Sequence, residues 1–442
     1  MEKKLPKSWV ETEFGNYIFL KNGYAYKTEQ FTNEGIPILK ISNITKDGKI
    51  DLSQTQFVNE KNLNPNFLIS KQDILIAMSG ATTGKYGVYS GNEILLQNQR
   101  VGNIKLHFEK FGNKRFVFYL IGFLKKEIEE KAYGGAQPNI SPKLIEEILI
   151  PLPPLPEQER IVAKLDLLFA QHEKMKTALE KIPQLLKDFR QQILTQAVTG
   201  KLTEEWRKGK NLKPINENFD KDPKKDLKKF IAENGLNYKI NDFGWVETNF
   251  FNLCILKRGF DLPTSSRTID GNYVVATSSG KSGFHNDYKV ECGIVVGRSG
   301  SVGKVFWIEE KHWPLNTTLY TENFNNNIPK YVFYFLLNFN FEKYSSSTAV
   351  PTLNRNNFMS EKILIPPLEE QTQIVSRVES LFSKIDAIEL RYQKLKEKID
   401  QFPQTILHKA FKGELVPQLP TDGDAKDLLK EILALKKEGK KN

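Results

Sequence analysis

The sequence has 442 residues, 39% hydrophobic and 26% charged, with 29 Phe and 15 Tyr. That is enough apolar material for two to four cored domains, and it excludes a disordered chain. A formal charge of +11 and a pI near 9.2 point to a polyanionic partner, nucleic acid ahead of a membrane.

Residues 1–150 mix short β-rich runs with turn residues: Ile36–Ile41, Asp73–Met78, Gly87–Tyr89 and Val101–Leu106, then a helix expected at Lys114–Lys131. Residues 151–200 form a helical spacer, opened by Pro151, Pro153, Pro154 and Pro156 and closed by Gly200. From 201 to 240 the chain is charged and poor in large apolar residues. It reads as a linker with a short helix at Asp226–Ala232. Residues 241–363 repeat the first plan, with strands at Tyr273–Ala276, Gly293–Gly297, Lys304–Ile308 and Thr317–Thr321 and a helix near Pro329–Phe341. Residues 364–442 hold a second helical spacer, a short element at Leu428–Leu435 and a Lys-rich tail. The fold class is therefore α+β.

The halves are related. Pro153-Pro154-Leu155 matches Pro366-Pro367-Leu368 at an offset of 213 (153 to 366). At that offset Glu157-Gln158 meets Glu370-Gln371, Ile193-Leu194 meets Ile406-Leu407, and Gly200 meets Gly413. Trp9-Val10-Glu11-Thr12 recurs as Trp245-Val246-Glu247-Thr248, and Gln137-Pro138-Asn139-Ile140 sits where Val350-Pro351-Thr352-Leu353 returns. Such a period excludes a short solenoid and implies a pseudo-twofold internal duplication.

Each spacer carries a heptad seam. Stepping 3 and 4 gives Leu165, Leu168, His172, Met175, Leu179, Ile182, Leu186, Phe189 and Ile193, then Val378, Leu381, Ile385, Ile388, Tyr392, Leu395, Ile399, Phe402 and Ile406. His172 alone breaks the apolar series, as a packing or register feature. Two long helices packed as an antiparallel coiled coil are expected, each bent rather than ended by Pro183 or Pro403. About 40 residues at about 1.5 Å each give roughly 60 Å.

The loops are rich in short hydrogen-bonding side chains and cations. In the first half these are Lys40, Ser42, Asn43, Ser79, Thr82, Thr83, Lys85, Gln97, Asn98 and Arg100. In the second they are Thr277, Ser278, Lys281, Arg298, Ser299, Ser301, Lys304, Asn316, Thr317 and Thr318. Arg, Lys, Asn and Gln can read base edges, while Ser and Thr can hold phosphates. Taken singly each could be a plain turn residue; recurring as a set in both halves, they suggest DNA contact.

Catalytic patterns are missing. Gly80-x3-Gly84-Lys85-Tyr86 is one residue short of a phosphate loop and lacks its Ser or Thr. Asn64-Pro65-Asn66-Phe67 is only an echo of an amino-methyltransferase motif. The five histidines are scattered and suggest no metal. Cys254 and Cys292 permit at most one disulfide and fit a reducing, cytoplasmic setting. No apolar stretch behind Met1–Pro6 suggests a signal peptide, and Phe116–Leu124 and Tyr331–Leu337 are too short to span a bilayer.

Two variable domains, each followed by a helical region opening Pro-Leu-Pro-Pro-Leu-Pro-Glu-Gln-Glu-Arg-Ile-Val or Ile-Pro-Pro-Leu-Glu-Glu-Gln-Thr-Gln-Ile-Val, resemble the specificity subunits of type I restriction-modification enzymes. The Trp-Val-Glu-Thr openings, Ile-Leu-Ile-Ala-x-Ser-Gly and the Ile-Leu-x-x-Ala-x-x-Gly-x-Leu helix ends belong to the same pattern. The resemblance implies a non-catalytic subunit whose target-recognition domains, 1–150 and 241–363, each read one half of a split, asymmetric double-stranded DNA target. The helices would act as a ruler. Two modification (methyltransferase) subunits would dock, and restriction subunits would join them. S-adenosylmethionine, ATP and magnesium would belong to those partners. The alternative is a duplicated scaffold that binds nucleic acid without sequence preference and has no methyltransferase partner.

Overall fold

The computed structural model describes residues 5–132, 138–215, 238–346 and 351–439. Gln137, Val350 and the expected helix at Asp226–Ala232 lie outside them. The chain divides into two compact units: Met1–Leu179 with Lys394–Asn442, and Glu180–Gln393. Among the described residues no helix is long and apolar enough to cross a membrane.

In the first unit, Ile18–Asn22, Val101–Leu106, Ile74–Ala77 and Tyr86–Val88 form a four-stranded antiparallel sheet in that order. A five-stranded sheet beside it includes Ile36–Leu39 paired parallel to Leu95–Gln97. The helix Lys114–Ala132 starts where the Asn113 side chain accepts from the Arg115 and Phe116 amides. Phe116, Leu120, Ile121, Leu124 and Ile128, at helical spacing, then bury against the sheet. In the second unit, Ile255–Arg258, Thr318–Asn323, Gly293–Gly297 and Val305–Ile308 form a sheet with the same strand order and the same antiparallel pairings. Helix Pro329–Asn338 covers it with Tyr331, Val332, Phe335 and Leu336. The accompanying sheet here has three strands, Gly280–His285, Tyr273–Thr277 and His312–Pro314.

The helical regions differ in continuity. The second is one helix, Leu368–Phe411, running through Pro403. The first is two helices, Leu155–Glu180 and Ile182–Val198. It was expected to bend at Pro183; instead the helix ends, because Pro183 falls in the first turn of the second piece, where its missing N–H costs nothing. Each unit's core absorbs the adjoining helix ends: Ile161, Leu165, Ile406, Ala410 and Phe411 in the first, and Ile193, Ala197, Ile374, Val378 and Ile385 in the second. Met175 and Leu395 in the first unit, and Phe189 and Ile388 in the second, were expected in the seam but are 41–48% exposed; these cores do not include them.

The polar break in the seam has a physical reason. Pro403 has no N–H, so the carbonyl of Ile399, four residues earlier, loses its helical partner. The imidazole Nε2 of buried His172 lies 2.9 Å from that oxygen and must donate to it, while the ring stacks on Phe402 (5.6 Å, 8°).

The Glu-Gln pair that opens each helical region is wholly buried. In the first unit the Glu157 carboxylate accepts from Trp9 Nε1 (2.9 Å) and Gln418 Nε2 (2.9 Å). Gln158 accepts from the Tyr17 hydroxyl (2.7 Å) and donates to the Pro153 carbonyl (2.9 Å). In the second, Glu370 accepts from Trp245 Nε1 (2.7 Å), Thr203 Oγ1 (2.6 Å) and the Arg207 guanidinium. Gln371 accepts from the Ile328 amide (2.8 Å) and donates to the Pro366 carbonyl (3.0 Å). A buried carboxylate requires such donors, and the first turn of a helix favours it. The Trp-Val-Glu-Thr opening strands, Val10–Glu13 and Val246–Asn249, pair with Leu149–Leu152 and Lys362–Ile365 just before each helical region, so the opening and the Glu-Gln pair are two parts of one lock between strand and helix.

The lock also corrects the reading of 201–240 as a linker from its start. Thr203 and Ile215 are buried, and residues 201–215 dock on the second unit. Composition misled here because the charged side chains face water while a few small or apolar ones carry the packing. In the first unit Asp422 takes both Arg160 guanidinium nitrogens (2.6 and 2.7 Å), and helix Ala425–Glu438 buries Ile432.

Candidate nucleic-acid interface

In the first unit the loop Ser79–Lys85 joins two sheet strands, with Gly80 and Gly84 at φ +74° and +83°. Those angles suit glycine, and at Gly84 a Cβ would also meet Glu129 at 2.9 Å. The loop is tied to the chain before the helical region: the Gly80 amide donates to the Pro138 carbonyl (2.8 Å), and the Ile140 amide to the Met78 carbonyl (2.9 Å). The second unit repeats this with other residues. Gly300 and Gly303 have φ +87° and +77°, and the Leu353 amide donates to the Arg298 carbonyl (2.8 Å). Isolated bridges join Ser79 to Asn139 and Ser299 to Thr352.

A second turn approaches each loop. Ile41, between Lys40 and Ser42, lies 3.9 Å from where a Cβ on Gly80 would be; the Ser278 hydroxyl lies 3.3 Å from where one on Gly300 would be. The structure thus brings the Lys40–Asn43 turn to the Ser79–Lys85 loop, and the Thr277–Ser278 turn to the Arg298–Lys304 loop.

Four of the residues expected to face a ligand point inward instead. Asn43 bonds the Lys40 amide and the Asp51 carbonyl, each at 2.8 Å. Gln97 donates to the Lys21 and Val101 carbonyls at 2.7 Å. Thr83 donates to Gly80 and Thr318 to Leu315, each carbonyl at 2.7 Å. All four are buried. Short polar side chains in turns bond their own backbone readily, and a buried one must; these hold the loops.

The others are half-buried or exposed. Ser42, Arg100, Lys281 and Lys304 are exposed; Lys40, Ser79, Thr82, Lys85, Asn98, Thr277, Ser278, Arg298, Ser299, Ser301, Asn316 and Thr317 are half-buried. Lys40 bonds Gln56 and lies 4.3 Å over the Phe31 ring; partial burial lowers its pKa. Lys281 pairs with Glu310, and its hydrogen bond holds that carboxyl below the usual range. The Asn316 amide donates to Asp261.

Behind each loop lies a recess. In the first unit it encloses about 570 Å³, lined by Ser79 and Arg100 and also by Asn22, Gln99, Asn139 and Ser141. In the second it encloses about 700 Å³, lined by Arg298 and also by Lys257, Arg258, Asn354 and Arg355. Sequence reasoning missed these further residues, although a signal existed: Pro138-Asn139-Ile140 and Pro351-Thr352-Leu353 were matched as repeats without a role. Such concave, hydrogen-bonding and cationic surfaces can take a polyanion and discriminate among its polar edges.

Loops and turns presented from a four-stranded sheet of the same strand order in each unit suit a recognition protein. The chain belongs to the family described as the type I restriction modification DNA specificity domain, which matches residues 6–184 and 243–397. That family is the non-catalytic, DNA-recognising specificity subunit of type I restriction-modification systems. The chain is 30% identical to the type I restriction enzyme EcoKI specificity subunit of Escherichia coli, over 94% of this chain and 91% of that one. It is 27% identical to the EcoBI specificity subunit of Escherichia coli, over 93% and 87%. Among solved structures, the HsdS subunit from Thermoanaerobacter tengcongensis shares the fold, with a TM-score of 0.62 at 18% identity, covering 93% of this chain and 99% of that one.

Proposed function

We propose that this chain is the specificity subunit of a type I restriction-modification complex, in which each half reads one part of a split, asymmetric DNA target. The recognition domains are 1–150 and 241–363, the helical regions are 151–200 and 364–442, and the segment 201–240 connects the first helical region to the second recognition domain. The observation that carries the reading is the repeated site. Each unit sets a glycine-turned loop, a second turn and a recess in the same place on the same sheet, with different side chains. Equal frames with unequal loops suit two different half-sites.

The DNA-facing residues are Lys40, Ser42, Ser79, Thr82, Lys85, Asn98 and Arg100 in the first half. In the second they are Thr277, Ser278, Lys281, Arg298, Ser299, Ser301, Lys304, Asn316 and Thr317. Asn43, Thr83, Gln97 and Thr318 act from inside by holding the loops. The two seams pair as an antiparallel coiled coil that sets the half-site gap, about 34 Å for one duplex turn, and the whole is a pseudo-twofold duplication. The contacts of His172 with Ile399, and of Arg190 with Asp386 (2.6 Å), support that pairing. Two modification subunits dock on the helices, where Met175, Phe189, Ile388 and Leu395 leave apolar surface open. They supply the methyl-transfer chemistry in the cytoplasm, and restriction subunits join them.

Co-expression with the modification subunit, in a host lacking adenine methylation, tests this by long-read mapping of methylated adenines. A split asymmetric motif that disappears without this chain is expected. Absence of methylation from a soluble complex with a competent partner would refute it and favour a non-specific scaffold.

A further inference from the structure

We infer that the recess of the second unit is a phosphodiester-binding site, and that this unit carries the larger ionic share of DNA binding; the inference rests on the DNA-recognition reading above. The two recesses occupy one position in a shared plan, yet their chemistry differs. Among the described residues one cation, Arg100, lines the first amid neutral side chains. Lys257, Arg258, Arg298 and Arg355 line the second.

Among the described residues two carboxylates face these cations. Glu322 pairs with Lys257 at 2.8 Å, and both are largely covered, so that pair is an internal fixture. Asp261 lies 3.2 Å from Arg258, but their side chains are 72% and 55% exposed, and such a pair holds weakly in water. Asp261 also accepts from Asn316. Arg298 directs one nitrogen at the Asn316 carbonyl, 3.4 Å away. A guanidinium carries five N–H donors in a planar fork that matches phosphate. Arg258 and Arg298 therefore keep donors for an anion after their contacts within the protein are made. They line one recess, and a phosphodiester oxygen entering it meets both while displacing only the exposed Asp261. The first recess offers amides and hydroxyls, which suit base edges and sugars but release few counterions.

Each neutralised phosphate adds about 0.9 to the slope of log affinity against log salt. The test measures binding of the full chain to a short mixed-sequence duplex, from about 50 to about 200 mM salt. Replacing Arg258 and Arg298 together by Gln is expected to reduce the slope by up to about 1.8, which shrinks the affinity lost across that range by roughly tenfold. Arg258→Lys with Arg298→Lys keeps the charge and retains most of the slope, which separates ionic loss from misfolding. Arg100→Gln reduces the slope by no more than about 0.9. An unchanged slope in the folded Gln variant, or an equal loss from Arg100→Gln, would overturn the inference while leaving DNA recognition intact. A wild-type chain that binds no duplex would overturn both.

Discussion

Replacing His172 by Phe keeps an aromatic ring against Phe402 but removes the donor to the Ile399 carbonyl. That carbonyl is left in a buried seam with no helical partner, because residue 403 is proline. A buried polar group without a partner costs about 1–3 kcal/mol. The cost depends on the proline. In a Pro403→Ala background a backbone N–H returns at position 403 and can serve the same carbonyl, so the effect of His172→Phe falls to its packing part alone. The two changes are therefore coupled, by about 1–2 kcal/mol within the range usual for contacting residues. Urea unfolding of the four proteins, followed by far-ultraviolet circular dichroism together with hydrogen exchange of the Leu155–Glu180 amides, gives the cycle. Equal costs of His172→Phe in both backgrounds would refute the carbonyl-rescue argument.

Glu370→Ala strands Arg207, Trp245 Nε1 and Thr203 Oγ1 in a buried site, so a loss of about 3–5 kcal/mol is expected in urea melts read by tryptophan fluorescence. Gly413 has φ +70°, and a Cβ there would lie 2.3 Å from Pro6 Cγ; Gly209 has φ +74° with nothing within 4 Å. Gly413→Ala should therefore lower the thermal midpoint more than Gly209→Ala, which bears the backbone strain of about 1 kcal/mol alone. The Arg160 guanidinium beside Asp422 holds its carboxyl below the usual range. The stability it contributes is present above the ordinary carboxylate pKa of about 3.9 and is lost as pH falls through the lower folded value. Hydrogen exchange in Ala425–Glu438 should accelerate across that acid window, and Arg160→Ala should weaken the dependence, leaving the part that the Leu419 amide sustains.

Much of the frame was legible because it depends on periodicity and punctuation. The strand at 74–77 and the helix at 114–132 carry apolar runs bounded by turn residues, and so do the strand at 293–297 and the helix at 329–338 in the second unit. Three things were not legible. The first long helix ends at Glu180 because Pro183 can begin a helix as well as bend one. Residues 201–215 looked like a linker because Thr203, a small polar residue, carries a buried contact that composition does not reveal. Within the loops, the sequence could not separate Gln97 from Arg100: whether a polar side chain turns to its own backbone or to an open recess is settled by the strand pairing around it, three residues apart in this case.

That last distinction bears on how such a protein can change its target. The inward residues Asn43, Thr83, Gln97 and Thr318 bond backbone carbonyls and amides, so they fix each loop's path without reference to its exposed side chains. The buried locks at Trp9–Glu157 and Trp245–Glu370 then fix the opening strand of each unit to the helix. Exposed positions such as Ser42 and Lys304 carry neither task, and substitutions at such sites are usually close to neutral for stability. Recognition chemistry can therefore vary on a backbone whose position is decided elsewhere, so two sheets of the same strand order can present unlike surfaces.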